Sequence, residues 1–217
     1  MPIPLLATAI VLGFALGSIP SGLWIGRARG VDLRTLGSRN IGATNAFRVL
    51  GARWGGLVFL LDVAKGWLAA FAPRVLHGTA LPPESSGPLL AAMVAGGVAA
   101  ILGHVFSPWV GFRGGRGVAT SLGFFLGIAP LPTLVAFVIW IALVAASRRV
   151  SVGSLGAATV YPLLVFFMER EDPHRFALFV VSALVALLVI VRHRGNIQRI
   201  LAGTEPPIVG GRAGGTP

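Results

Sequence analysis

Seven apolar stretches follow one another along this chain, at 4–26, 54–76, 88–110, 117–130, 133–147, 151–168 and 174–192, separated by polar or proline-bearing joints. A helix needs about 20 residues to cross a hydrocarbon core of about 30 Å, so a chain of this length can cross at most about seven times. Only 12% of its residues are charged and 55% are hydrophobic, whereas about a quarter of an ordinary soluble domain is charged. That is too little polar surface for a soluble globule. The expected fold class is all-α, a polytopic integral membrane protein of about seven transmembrane helices. It forms one membrane-embedded domain over 1–217, with 205–217 as a flexible tail.

Two joints need comment. Residues 1–26 have no cationic segment before the apolar run, which reads as a retained first span rather than a signal peptide. The stretches 117–130 and 133–147 are short, and Ala129-Pro130-Leu131-Pro132 between them marks a turn, because a single helix over 117–147 would far exceed the core.

The net charge of +11 then orients the chain. With the N-terminus outside, Arg27, Arg29, Arg34, Arg39, Arg48, Arg53, Arg113, Arg116, Arg148, Arg149, Arg192, Arg194, Arg199 and Arg212 fall on the cytoplasmic side. The outer side holds Arg74, Arg170 and Arg175 with the acids Glu84, Glu169, Glu171 and Asp172. This bias places the C-terminus inside and requires an odd number of spans. The absence of cysteine excludes disulfides, thiolate metal sites and thiol nucleophiles.

Three polar segments share the cytoplasmic side. The first, Gly37-Ser38-Arg39-Asn40-Ile41-Gly42-Ala43-Thr44-Asn45-Ala46-Phe47-Arg48, is richer in hydroxyls, amides and guanidiniums than a connecting loop needs, although Ser38, Asn40 or Thr44 could merely cap a helix. The second runs through Arg113-Gly114-Gly115-Arg116-Gly117 into a helix start, after Gly103-His104. Glycines there expose backbone N–H groups, and with the helix dipole and two arginines they suit a phosphate. The spacing is not that of a Walker A loop, and one RGGRG copy between spans is poor evidence for nucleic acid. The third, Arg192-His193-Arg194-Gly195-Asn196-Ile197-Gln198-Arg199, then Gly203-Thr204-Glu205, closes the last span. Its arginines could be stop-transfer charges, and Glu205 is suited to orienting one of them. Asp62 and Lys65, at i and i+3 inside a span, read first as a mutual ion pair. Ser151-Val152-Gly153-Ser154 reads as a helix cap or an anion contact.

Taken in order, Gly37-Ser38-Arg39-Asn40-x-Gly42-Ala43-Thr44-Asn45-x-x-Arg48, Leu61-Asp62-x-x-Lys65-Gly66, Gly103-His104 with Phe112 to Thr120, and His193-Arg194-x-Asn196-Ile197-x-Arg199 with Gly203-Thr204-Glu205 resemble the PlsY family. These are bacterial integral-membrane glycerol-3-phosphate acyltransferases that use acyl phosphate as donor. The resemblance implies transfer of a fatty acyl group to the 1-hydroxyl of sn-glycerol 3-phosphate, giving lysophosphatidic acid and phosphate. The site would face the cytoplasm from the bacterial plasma (inner) membrane. It implies Ser38, Arg48, His193 and Asn196 as catalytic residues. Substrate binding would fall to Arg39, Asn40, Thr44, Asn45, Arg113, Gly114, Gly115, Arg116, Gly117, Ser154, Arg194 and Glu205. Neither metal nor cofactor is expected, since a mixed anhydride already carries a good leaving group. The partners expected are the two substrates and the lipid bilayer, with no nucleic acid. Either His193 or a substrate phosphate oxygen could take the proton of the acceptor hydroxyl. The family commonly carries lysines where Arg113 and Arg116 stand, so proton donation from those positions is not expected here.

Other readings are weaker. None of His77, His104, His174 and His193 is followed by an Asp at the spacing of the His-x-x-x-x-Asp acyltransferases. A small anion or phosphate transporter would use the same arginines, but its polar residues should gather near the midplane. A structural scaffold leaves the first polar segment unexplained.

Overall fold

The computed structural model describes residues 3–76 and 86–208. His77, Glu84 and Arg212, on which part of the sequence reading rested, lie outside them. The described residues form helices α1 (Ile3–Ser18), α2 (Ser21–Ala28), α3 (Ala43–Leu50), α4 (Ala52–Leu76), α5 (Ser86–Val105), α6 (Val118–Ile128), α7 (Pro130–Ser147), α8 (Val150–Met168), α9 (Arg175–Arg192) and α10 (Arg194–Leu201), with a 3₁₀ turn at Pro108–Val110. Among them, six segments are long and apolar enough to cross a membrane: Pro4–Ala28, Ala52–Leu76, Gly87–Val110, Pro130–Ser147, Val150–Met168 and Arg175–Arg192.

The seventh apolar stretch differs from the expectation. Helix α6 has 11 residues, a rise of about 16 Å or roughly half a hydrocarbon core. It survives because it is walled by protein: Thr120 and Phe124 are fully buried, and α6 packs chiefly on α4. The contact is reciprocal and close, since a side chain at Gly66 would overlap the Thr120 carbonyl and one at Gly123 would overlap the Val63 carbonyl. In lipid, where burial of apolar groups drives little, such backbone approach is a main source of helix association. The expected turn after α6 is present, with Pro130 and Pro132 in the first turn of α7, where a missing N–H costs nothing.

The first span is broken between α1 and α2, because Pro20 brings no N–H. The carbonyls freed there find side chains instead. Lys65 Nζ donates to the Ile19 carbonyl at 3.0 Å, and Ser107 Oγ to the Ser18 carbonyl at 2.6 Å. Irregular backbone at such depth requires partners of this kind.

The C-terminal ends of α5 and α9 meet the N-terminal end of α6 on one face. Arg192 Nη2 donates to the Gly114 and Gly115 carbonyls at 3.2 Å each. Glu205 to Ile208 cross the same face, held by Arg149 Nε on the Glu205 carbonyl, Arg48 Nη2 on the Pro206 carbonyl, and the Ile208 N–H on the Arg148 carbonyl. Trp24 and Trp109 stand edge to face at 6.3 Å and both are exposed. The α8–α9 turn, Glu169 to His174, is at the far ends of its helices. Helices α6 and α7 run as a pair on either side of the turn at Ala129. Toward the far face, Phe124, Phe125, Ile101, Tyr161, Val165 and Leu178 form the apolar core.

The chain lacks cysteine, so single Thr35→Cys and Glu171→Cys variants can be labelled with an impermeant maleimide in sealed vesicles of one orientation. The two should label from opposite sides, and labelling from the same side would contradict this topology.

Candidate active site

The first N–H groups of a helix have no partner within it. Helices α3, α6 and α8 begin at Gly42, Gly117 and Arg149 with no side-chain cap. All three starts open on one cavity of about 160 Å³, whose mouth is lined by Gly42, Ala43, Thr44, Gly117, Val118, Ala119 and Val150. Gly117 holds φ at 87°, a left-handed turn that directs the chain from the glycine loop into α6. Three partial positive charges thus converge where the cavity meets the polar face.

Arg116 stands in this mouth. Its guanidinium makes no hydrogen bond or ion pair with any described residue, and burial brings it down to about 10, countered by Glu205. It remains a cation at neutral pH. A largely buried cation without a direct partner is costly unless an anion arrives.

His193 is the other buried polar wall, 1% exposed, at the junction of α9 and α10. Its Nδ1 lies 2.8 Å from the Val189 carbonyl, which can only accept, so the proton sits on Nδ1 and Nε2 carries the lone pair. Burial, aided by Arg116, lowers the imidazole to about 4, so it is neutral at physiological pH. Ser38 and Thr44 also line the cavity, as do Asn40 and Ser154, the latter accepting from Trp140 Nε1 at 3.3 Å. The rest of the wall is largely apolar, with Phe125, Ala136, Phe137, Trp140, Ala186 and Val189, and also includes Thr133, Tyr161 and Ser182. Thr133 donates to the Ala129 carbonyl at 2.6 Å, which leaves the Tyr161 hydroxyl to donate to Thr133 Oγ1 at 2.9 Å.

Several sequence expectations are revised. Asn45 touches the cavity, but its side chain is committed to the loop: Nδ2 donates to the Leu33 and Leu36 carbonyls and Oδ1 accepts the Ser38 N–H at 2.8 Å. It therefore positions Ser38 rather than serving first as a substrate contact. Asn40 Oδ1 accepts the Gly42 N–H at 2.8 Å, a turn that shapes the approach to α3. Arg39, Arg113 and Arg194 are exposed and do not line the cavity. Gly114 and Gly115 are buried and clamped by Arg192 and by the His104 and Val105 carbonyls, which hold the loop that presents Arg116.

Arg48 and Asn196 stand behind the wall. Arg48 is tied to Pro206 and Pro207, while Asn196 Nδ2 donates to Glu205 Oε1 at 2.6 Å. Glu205, assigned by sequence to the start of a tail, is 4% exposed. It accepts from Ser151 Oγ at 2.7 Å and from Arg199 Nε at 2.8 Å as well. Burial pushes its carboxyl up, but the three hydrogen bonds from Ser151, Asn196 and Arg199 outweigh that and hold it below its ordinary value. Its expected partnership with an arginine is met by Arg199, not Arg194. Ser151 serves Glu205 rather than capping α8. The roles of Arg149, Arg192 and Arg199 were hidden in sequence because arginines at span ends have a topological explanation.

Asp62 and Lys65 form the expected ion pair, at 2.8 Å with both side chains buried. Their cluster includes His104, whose Nδ1 lies 2.8 Å from Lys65 Nζ.

A family model described as glycerol-3-phosphate acyltransferase matches residues 7–203. A glycerol-3-phosphate acyltransferase of Geobacter sulfurreducens is 45% identical over 201 residues, 93% of this chain and 95% of that protein. One from Fusobacterium nucleatum is 42% identical over 197 residues, covering 90% and 94%. Among solved structures, the glycerol 3-phosphate form of PlsY, an integral membrane glycerol 3-phosphate acyltransferase, superposes with a TM-score of 0.81 at 34% identity, covering 93% and 94% of the two chains. Its lysophosphatidic acid form gives 0.79 at 33%.

The His193 environment sets a pH signature. An unfolded imidazole takes up its proton near 6.5 whereas the folded one does so near 4, so stability declines as pH falls from about 6.5 to about 4 and is indifferent to His193 above that window. Glu205 acts lower, its contribution lost as pH falls below its ordinary 4.5. His193→Gln should flatten the decline between pH 6.5 and 4 in thermal midpoints measured against pH. An unchanged slope would contradict the buried neutral imidazole.

Proposed function

Because the chain belongs to the glycerol-3-phosphate acyltransferase family of multi-pass membrane enzymes, we propose that it transfers a fatty acyl group from acyl phosphate to the 1-hydroxyl of sn-glycerol 3-phosphate at the cytoplasmic face of the bacterial plasma (inner) membrane. The products are lysophosphatidic acid and phosphate. One observation carries this reading: a single cavity is cationic at its mouth, with Arg116 and three uncapped helix starts, and apolar beyond it. A substrate with a phosphate head and a hydrocarbon tail matches that combination of lining. The cytoplasmic assignment rests on the arginine excess at that face.

The chemistry asks for little covalent help. The 1-hydroxyl oxygen attacks the acyl carbonyl carbon, the carbon–oxygen bond to phosphate breaks, and the departing phosphate keeps the electron pair. His193 Nε2 is placed to accept the hydroxyl hydrogen bond and aim the nucleophile. With its imidazole near 4, it is a weaker proton acceptor than a phosphate whose second pKa is about 6. The proton goes to the leaving phosphate, and both products depart with atoms and charge balanced. Arg116 and the helix starts stabilise the charge that gathers on that phosphate. Glu205 keeps Asn196 and Arg199 in place behind the wall, and the strap it anchors holds Arg48. The transporter alternative has no support in the family match.

Purified protein given acyl phosphate and glycerol 3-phosphate should form lysophosphatidic acid and release phosphate, whereas an acyl thioester should not replace the donor. Arg48→Ala and Asn196→Ala should each lower turnover by about 10²-fold or more while leaving membrane insertion intact, and near-normal rates in either would remove that residue from the machinery. Ala186 lines the tail section and is 8% exposed. Ala186→Phe should shift the preferred donor toward shorter acyl chains in a competition between donors of different length, and an unchanged preference would place the tail elsewhere.

A further inference from the structure

Three buried polar side chains of the spans, Asp62, Lys65 and His104, at 2%, 5% and 6% exposure, have no part in the reading above. Ionisable groups at such depth are expensive and mark function by default. The Lys65 ammonium makes three contacts: Asp62 Oδ1 at 2.8 Å, the Ile19 carbonyl at 3.0 Å and His104 Nδ1 at 2.8 Å. An ammonium only donates, so His104 Nδ1 must accept and the ring carries its proton on Nε2. This is the opposite tautomer to that of His193. The Nε2 edge faces the glycine loop, for a side chain at Gly115 would overlap that atom. The ring also lines the active-site cavity together with Arg116 and Gly117. Asp62 borders the cavity too, but its charge is matched by Lys65 at contact distance. The cluster therefore presents a neutral N–H donor to the cavity rather than a net charge.

We propose that His104 is a further substrate-binding residue, its Nε2–H oriented by Lys65 and Asp62 to donate to the phosphate group held at the Gly115–Gly117 loop. The inference rests on the acyltransferase reading and deepens it. The phosphate in question belongs to either the acyl phosphate or glycerol 3-phosphate. Lys65 and Asp62 act as positioning residues. Were they merely structural, the ring nitrogen facing the loop would not matter to substrate affinity.

The test compares His104→Leu with His104→Gln, whose amide oxygen and nitrogen reproduce the spacing of the two ring nitrogens. The KM for each substrate is measured separately in detergent. His104→Leu should raise the KM for one of the two by about tenfold, with kcat less affected, as expected for a hydrogen bond made equally in ground and transition states. His104→Gln should recover most of that loss. The substrate whose KM moves identifies the phosphate. Unchanged KM values in His104→Leu, or equal impairment in both variants, would overturn the proposal. A wild-type protein inactive with both substrates would instead overturn the acyltransferase reading. Independently of activity, ¹⁵N-histidine NMR of the wild-type protein, with the His104 signals assigned by their loss in His104→Gln, should show Nε2 protonated, Nδ1 bare, and a shift on adding glycerol 3-phosphate or inorganic phosphate. A proton on Nδ1, or no shift with either, would refute it.

Discussion

The polar face is held together by the carboxylate of Glu205. It draws Ser151 from α8 and Asn196 and Arg199 from α10 onto one side chain. The residues just beyond it hold Arg48. A surface ion pair of this kind would contribute little. Here the carboxylate is buried and accepts hydrogen bonds on both oxygens, which is the condition under which removing a donor is costly. It also stands near several cations, so it offsets their mutual repulsion in the absence of substrate. The site can therefore keep a positive potential at its mouth without driving its own helices apart.

Binding at that mouth relies on backbone as much as on side chains. Three helix starts without side-chain caps line the same space, each with the positive end of its dipole. Half-length α6 is what makes this possible. A full-length span would need its own lipid-facing surface, whereas a short helix buried against α4 can end its glycine loop inside the protein, beside His193 and Ser38. The two histidines on the cavity then adopt opposite tautomers, one offering a lone pair and the other an N–H, each fixed by a neighbour that can only accept or only donate. A neutral acceptor and a neutral donor are useful where added charge would be expensive.

Much of the candidate site was legible in the sequence because its residues are of unusual type for their position. A loop dense in Ser, Asn, Thr and Arg, a glycine-rich run before a helix, and a His–Asn pair three apart all lie at one end of apolar spans. Ser38, Thr44, Arg116 and His193 are found together as expected. The losses have a common cause. Asn45 looked like a ligand contact, but its amide holds the loop. Arg39, Arg113 and Arg194 looked like members of the cradle but face outward, whereas Arg192, Arg199 and Arg149, which read as topological charges, clamp the loop and the strap. One-dimensional spacing says that an arginine is near a site and not which way it points.

By itself the sequence determined that this chain lives in a bilayer and that its polar motifs gather at the ends of its spans, because hydrocarbon tolerates so few arrangements of backbone and charge that composition and spacing suffice. Only the tertiary structure decided that one apolar stretch spans half the core, which guanidiniums turn inward, which side chains Glu205 gathers, and that Lys65 serves His104 as well as Asp62. Those outcomes depend on contacts between residues far apart in the chain, Lys65 with His104 and Arg48 with Pro206 among them, and on close approach of helix backbones at single glycines. Neither follows from the periodicity of any one segment.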